Sequence, residues 1–295
     1  MKKLASGFIS LIALSSILAG AEQVQPREAA IAASDKGIVK LDVVLGQKVK
    51  KGDLLFELDP SIINAKLEWA SMDRKSMEPI IKGAEKLIKD KHITADNYEL
   101  AIYSNNWCDR EENLCKAERE ASMYYAPFDG TVTKIYRYDG SGLGDNDDEV
   151  VVTEGDVKVD TSHQVAMVCS PPWNTVLDLK VELGQQVKKG DVLFTIKSVD
   201  ILKAQLDMDK DILIKAEKKY NRLKTLHSEN ATSYFNMLIS SFDYTKALTN
   251  VKIDEIKIAQ STMYAPFDGT VTKVYRVNGT GMGHGKPVVD ITAIN

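Results

Sequence analysis

Tyr125-Ala-Pro-Phe-Asp-Gly-Thr-Val-Thr-Lys-Ile-Tyr-Arg137 occurs a second time as Tyr264-Ala-Pro-Phe-Asp-Gly-Thr-Val-Thr-Lys-Val-Tyr-Arg276, with Ile135 and Val274 the one difference. Each copy predicts a short strand entered at Pro127 or Pro266, where a fixed φ and a missing donor suit the first residue of a strand. Asp129-Gly130 and Asp268-Gly269 predict a turn, because glycine tolerates positive φ, and a strand of Thr, Val, Ile and Tyr follows. Upstream, Leu45-Gly-Gln-Lys-Val-Lys-Lys-Gly-Asp-Leu-Leu-Phe-Glu-Leu58 returns as Leu183-Gly-Gln-Gln-Val-Lys-Lys-Gly-Asp-Val-Leu-Phe-Thr-Ile196. Gly52 and Gly190 are 138 residues apart and Ala126 and Ala265 are 139 apart, so one unit has been duplicated.

Between the two stretches of each unit the hydrophobic period changes. Residues 29–59 alternate short β runs, Ile38–Leu45 and Leu54–Leu58, with turns at Gly46 and Gly52. Over 60–123 the apolar residues step by four and three instead. Ile63, Leu67, Ala70, Met77, Ile81, Ala84 and Ile88 form a heptad seam that only Arg74 interrupts. Pro79 and Gly83 are expected to kink or shorten that helix. Thr94 is placed to cap a returning helix with the seam Leu100, Tyr103, Trp107, Leu114, Ala117 and Ala121. In the second unit, Leu202, Leu206, Leu213, Ala216, Tyr220 and Leu223 descend, and Met237, Tyr244, Leu248, Val251 and Ile258 ascend. A helix of about 30 residues would be about 45 Å long.

The predicted fold class is therefore α+β. Two tandem β-sandwich domains, 29–59 with 124–152 and 165–197 with 263–295, are each interrupted by a long antiparallel coiled-coil hairpin, 60–123 and 198–262. Residues 153–164 form a polar linker. Pairing within each copy is the simplest arrangement, and a swapped pairing stays open.

Residues 1–21 read as a secretory signal: Lys2 and Lys3, an apolar run from Leu4 to Leu18, then Ala19-Gly20-Ala21. The run is short for a membrane span. Cleavage gives a periplasmic protein, and retention as an inner-membrane anchor is the alternative. Cleavage would move the net charge from −4 to −6, which offers nucleic acid no electrostatic footprint. Three cysteines is an odd number for an exported chain. On one continuous helix Cys108 and Cys115 would lie about 10 Å apart, beyond disulfide reach; a break near Asn105-Asn106 or Asn113 could bring them together. Cys169 stands alone.

Catalytic patterns are not found. The four histidines, His92, His163, His227 and His284, are scattered, and no phosphate loop, nucleophile elbow or zinc-protease helix occurs. Met282 and His284 could touch a soft metal, but a flexible glycine turn explains them better. The acidic loop Asp139–Glu149 lacks the ligand spacing of a calcium loop and reads as solvated. No enzyme activity and no metal site are expected.

Two β halves split by a long hairpin, with Gly-Gln-x-Val-Lys-Lys-Gly-Asp before it and Ala-Pro-Phe-Asp-Gly-Thr-Val after it, resemble the periplasmic adaptors, or membrane fusion proteins, of the HlyD-like family. The resemblance spans nearly all of the mature chain, once per copy. It implies lipoyl/biotinyl-like β-sandwich domains. True lipoyl and biotinyl carriers hold a modified lysine on a tight turn; here about 65 residues of helix replace that turn. Neither Asp-Lys-Ala nor Met-Lys-Met is present, so no cofactor is expected.

The same resemblance implies a non-enzymatic adaptor of an envelope-spanning efflux or secretion system. Its partners would be a TolC-like outer-membrane channel and an inner-membrane transporter complex. Adaptor tips often carry Arg-x₃-Leu-x₆-Ser, and Arg222, Leu226 and Ser233 have that spacing. By the resemblance, Arg222 and Ser233 would donate to the channel helices while Leu226 packs between them. In the first copy Leu87 and Thr94 fit, but Gly83 stands where the arginine would be. Ser233 can alternatively be read as a helix cap alone. The family's β-barrel and membrane-proximal domains have no counterpart before Asn295. Six-fold rings in the family imply a trimer of this duplicated chain with pseudo-six-fold packing. A structural spacer that binds an adaptor ring without moving substrate is the other function considered.

Overall fold

The computed structural model describes residues 26–33, 37–92, 94–143, 148–162, 164–172 and 175–294; the expected signal at 1–21 and His163 lie outside them. The first copy opens with β1 (Glu28–Ala32), β2 (Gly37–Leu41), β3 (Lys48–Val49) and β4 (Leu54–Leu58). Helices α1 (Ser61–Lys89) and α2 (Ala95–Ala121) follow, then β5 (Met123–Tyr125), β6 (Gly130–Ile135), β7 (Gly142–Leu143) and β8 (Asp148–Glu154). The second copy repeats the order: β9 (Val165–Cys169), β10 (Thr175–Leu179), β11 (Gln186–Val187), β12 (Val192–Ile196), α3 (Val199–Ser228), α4 (Tyr234–Ala259), β13 (Thr262–Tyr264), β14 (Gly269–Val274), β15 (Gly281–Met282) and β16 (Pro287–Ala293). The strands form one compact unit and the four helices another.

Each copy holds two antiparallel sheets, β1-β8-β6-β3 with β5-β4-β2-β7, and β9-β16-β14-β11 with β13-β12-β10-β15. Strand for strand the orders are the same, and among the described residues no sheet mixes the copies. Even the irregularities repeat. A bulge leaves Thr133 unmatched between β6 and β8, and Thr272 unmatched between β14 and β16. The two sheets of the first copy enclose Val39, Phe56, Val132 and Val150, and those of the second enclose Leu177, Phe194, Val271 and Val289. Phe56 and Phe194 are fully buried at equivalent positions, each stabilising its core by roughly 1.5–3 kcal/mol.

The duplicated motifs bind one another. In the first copy the Gly52 amide donates to the Ala126 carbonyl and the Ala126 amide to the Asp53 carbonyl, both at 2.8 Å. Asp129 Oδ1 accepts from the Lys51 amide at 2.7 Å. Gly190, Ala265, Asp191, Asp268 and Lys189 repeat these bonds in the second copy. Within the duplicated motifs positive φ belongs to Gly46, Gly52, Gly184 and Gly190, not to Gly130 and Gly269. Gly130 and Gly269 open strands, and a Cβ there would sit 2.3 Å from the Thr153 carbonyl oxygen or 2.5 Å from that of Thr292. Close backbone approach, not turn conformation, is what excludes a side chain at these two positions.

The copies also touch within the β unit. Ser141 Oγ donates to the Met167 carbonyl at 3.1 Å and accepts from the Cys169 amide at 3.0 Å. Tyr138 meets Phe267 edge to face at 5.2 Å. Thus the loop expected to be solvated is so only in part: Ser141, Gly142, Leu143 and Glu149 are buried, and Glu149 pairs with Arg137 at 3.2 Å.

In the helical unit α1 continues through Pro79 and Gly83 to Lys89, so of the two expected effects, kinking or shortening, the shortening does not occur; both residues are exposed. The α3 seam is as expected, half-buried from Leu202 to Leu223, with Tyr220 stacked on Tyr244 of α4 at 5.7 Å. Helix α2 departs from expectation. Tyr103, Trp107 and Leu114 are more than half exposed, and Cys108, Glu112 and Cys115 are buried instead. Polar bonds orient α2 on α1: Arg74 Nε lies 2.7 Å from Asp109 and 3.3 Å from Glu112. The hairpins also pack on each other, since Met77, Cys108 and Leu238 share a cluster and Thr245 of α4 donates to Asp73 of α1 at 2.9 Å. All three cysteines are free and buried.

Candidate functional site: the two interhelical turns

The residues expected to dock a partner all sit at the ends of the helices. Helix α3 closes on Asn230, held at φ 57°. The Ala231 amide donates back to the Leu226 carbonyl at 2.7 Å and the Asn230 amide to His227 at 2.9 Å. A left-handed residue after the last turn satisfies carbonyls that would otherwise lack partners. Helix α1 closes in the same way on Lys91, φ 59°: the His92 amide donates to the Leu87 carbonyl at 2.8 Å and the Lys91 amide to Ile88 at 3.2 Å. Leu87 and Leu226 therefore occupy the same place in the two turns.

The far side of each turn is equivalent too. Ser233 precedes α4, and its hydroxyl accepts from the Asn236 amide at 3.2 Å, which is helix capping. Thr94 precedes α2, and its carbonyl accepts from the Tyr98 amide at 3.2 Å. Arg222 is exposed one turn before the half-buried Leu226, and Leu87, Thr94 and Ser233 are exposed. Arg222 and Leu226 thus share a face of α3, with Ser233 across the turn. The capping hydroxyl keeps its own proton to give. His227 braces the turn, its ring 5.2 Å from that of Tyr234 and Nδ1 3.4 Å from the Thr232 carbonyl. In place of Arg222 the first turn has Gly83.

Buried carboxylates in the helical unit escaped the sequence reading. Asp73 stands in the α1–α4 contact, and burial pushes its pKa up to about 6, with the Thr245 hydroxyl pulling it back. Asp254 of α4 is also raised, first by burial and then by the hydrogen bond with Asp209 of α3, while Lys257 opposes. An acid at seam spacing is the signal that could have found Asp209 and Asp254: each stands in step with apolar neighbours. Burial likewise raises the Cys108 thiol to about 11, so it is not a nucleophile.

Among the described residues no group of three or more His, Cys, Asp and Glu is placed to hold a metal. Met282 is buried, and His284 Nδ1 lies 2.6 Å from the Pro172 carbonyl. No described helix is long and apolar enough to cross a membrane.

No family model matches the chain. No curated protein matches it either. Among solved structures, the chain resembles membrane fusion and periplasmic adaptor proteins. A MacA–MexA chimera carrying the Pseudomonas aeruginosa MexA α-hairpin domain is 22% identical, with a TM-score of 0.39 over 45% of this chain and 48% of that one. The membrane fusion protein Spr0693 of Streptococcus pneumoniae is 16% identical, with a TM-score of 0.32 over 41% and 62%. The periplasmic adaptor EmrA is 13% identical, with a TM-score of 0.19 over 90% and 72%. The first two matches span less than two thirds of those proteins.

Proposed function

We propose that this chain is a non-enzymatic periplasmic adaptor of an envelope-spanning efflux or secretion assembly, with two lipoyl-like domains each carrying a helical hairpin. In this reading it docks to a TolC-like outer-membrane channel through the α3–α4 turn and works with an inner-membrane transporter complex. One observation carries the docking proposal: the Arg222-x₃-Leu226-x₆-Ser233 pattern falls on a helix-closing turn, its arginine exposed and its serine at the cap. A guanidinium fork suits the carbonyls and carboxylates at the ends of partner helices. Leu226, half-buried, offers an apolar edge between two polar donors. The α1–α2 turn shares this closure but has Gly83 in place of the arginine, so the second turn is the principal contact.

The test is capture of a channel protein by the purified chain. Arg222→Asp is expected to abolish capture and to leave helicity and melting temperature unchanged, since the side chain is exposed. Gly83→Arg is expected to strengthen capture by completing the first turn. Ser233→Ala is the poorer probe, because losing a cap costs about 1 kcal/mol of stability by itself. Capture by Arg222→Asp at wild-type level would overturn docking at this turn. It would favour the spacer reading, in which Ser233 is a cap and nothing more.

A further inference from the structure

We propose that the α2 face bearing Tyr103, Trp107 and Leu114 receives the α3 face bearing Ile201, Met208 and Ile212 of a second copy of this chain. The contact gives the trimer implied by the adaptor reading a surface, and rests on that assembly but not on docking at the turns. All six side chains are at least half exposed. Single exposed apolar residues are ordinary on a protein surface; two rows of three, on two different helices, are not scattered singles.

The rows match in length and in spacing. On α2 the steps are four residues, then seven; on α3 they are seven, then four. Each row spans eleven residues, about 16 Å at 1.5 Å per residue. At 3.6 residues per turn each row stays within roughly 40° of one line along its helix. Read in opposite directions, the two spacings coincide. Antiparallel packing therefore sets Tyr103 against Ile212, Trp107 against Met208 and Leu114 against Ile201. Parallel packing of the same rows leaves Trp107 and Met208 out of step, and so does antiparallel packing of either row on itself.

The α2 row also has somewhere to put the visitor. Tyr103 and Trp107 wall a hollow of about 300 Å³, Leu114 walls an adjoining one of about 190 Å³, and both hollows share Trp69 of α1 and Lys246 of α4. Methionine against a tryptophan edge is a favourable contact, and buried aromatics anchor interfaces. Each chain carries one row of each kind, so the contact is heterologous. Heterologous contacts close into rings when the rotation allows, and extend into filaments when it does not.

Cysteine trapping in the full chain tests the register. Trp107→Cys and Met208→Cys, made in separate chains and mixed under mild oxidation, are expected to give a covalent dimer that neither forms alone. The native cysteines are buried, so the unaltered chain is the blank. Tyr103→Cys with Ile212→Cys is the second expected pair. Adding Leu114→Glu to the Trp107→Cys chain should lower the dimer yield at least tenfold, while Arg222→Asp in either chain should leave it unchanged. Dimers from Trp107→Cys alone would overturn the pairing. So would no mixed dimer from either pair at concentrations up to the solubility limit, with circular dichroism showing folded helices.

Discussion

Gly130 and Gly269 show how much a single position depends on its surroundings. From the chain alone, Asp-Gly reads as a turn that needs positive φ. In the folded protein these glycines begin β6 and β14, and the constraint is the carbonyl of Thr153 or Thr292 standing where a Cβ would be. A backbone atom cannot swing away as a side-chain tip can. Gly130→Ala and Gly269→Ala are therefore expected to destabilise the β unit by about 1–3 kcal/mol each, the range for overpacking. Denaturant unfolding checks this, and an unchanged midpoint would mean that the strands separate freely at this point. Asp129 and Asp268 were legible as turn residues, but their acceptance from the Lys51 and Lys189 amides was not. Those bonds join stretches 78 and 79 residues apart in the chain.

At the scale of the element, α1 and α4 depend on a buried acid. The Asp73 carboxyl has a folded pKa of about 6 against an ordinary value of 3.8. The folded state therefore holds a proton that the unfolded chain has already released between those values, and stability is lost as pH rises through that window. The wild-type melting temperature is expected to fall between about pH 4 and pH 6 relative to Asp73→Asn, which keeps an acceptor for Thr245 and carries no charge. Parallel melting curves for the two proteins across that range would show that Asp73 does not titrate in the contact. Asp254 is raised in the same direction, so the comparison with Asp73→Asn, rather than the wild-type curve alone, isolates one group. The heptad of α3 was readable because every seam residue from Leu202 to Leu223 faces a single neighbour. That of α2 was not: Asp109 and Glu112 bond across to Arg74 of α1, and this turns Cys108 and Cys115 inward and leaves Tyr103 and Trp107 outside.

At the scale of the molecule, duplication bears on subunit number. One chain holds two sets of paired sheets of the same strand order and two helix pairs closed by the same turn. If assemblies of the adaptor type place six such units in a ring, three chains suffice. Native mass spectrometry or microscopy of the complex formed with a channel partner is expected to find three copies of this chain per ring. Six copies would show that the duplication does not halve the subunit count. The two turns differ by Arg222 against Gly83, so such a ring would alternate strong and weak contacts.

The sequence by itself determined the duplication, the alternation of β halves with helix pairs, and the positions of the turns. Those features are local: period two or heptad spacing, and a cap residue seven places after a leucine; the strand start expected at Pro127 and Pro266 is not among them, since both prolines lie between strands. Only the tertiary structure decided which glycines are conformational and which are spatial, and which face of α2 is buried. It also decided that Asp73 meets Thr245, 172 residues later. Burial and pairing are properties of neighbours distant in the chain, and a side chain carries no record of its neighbours until the backbone brings them together.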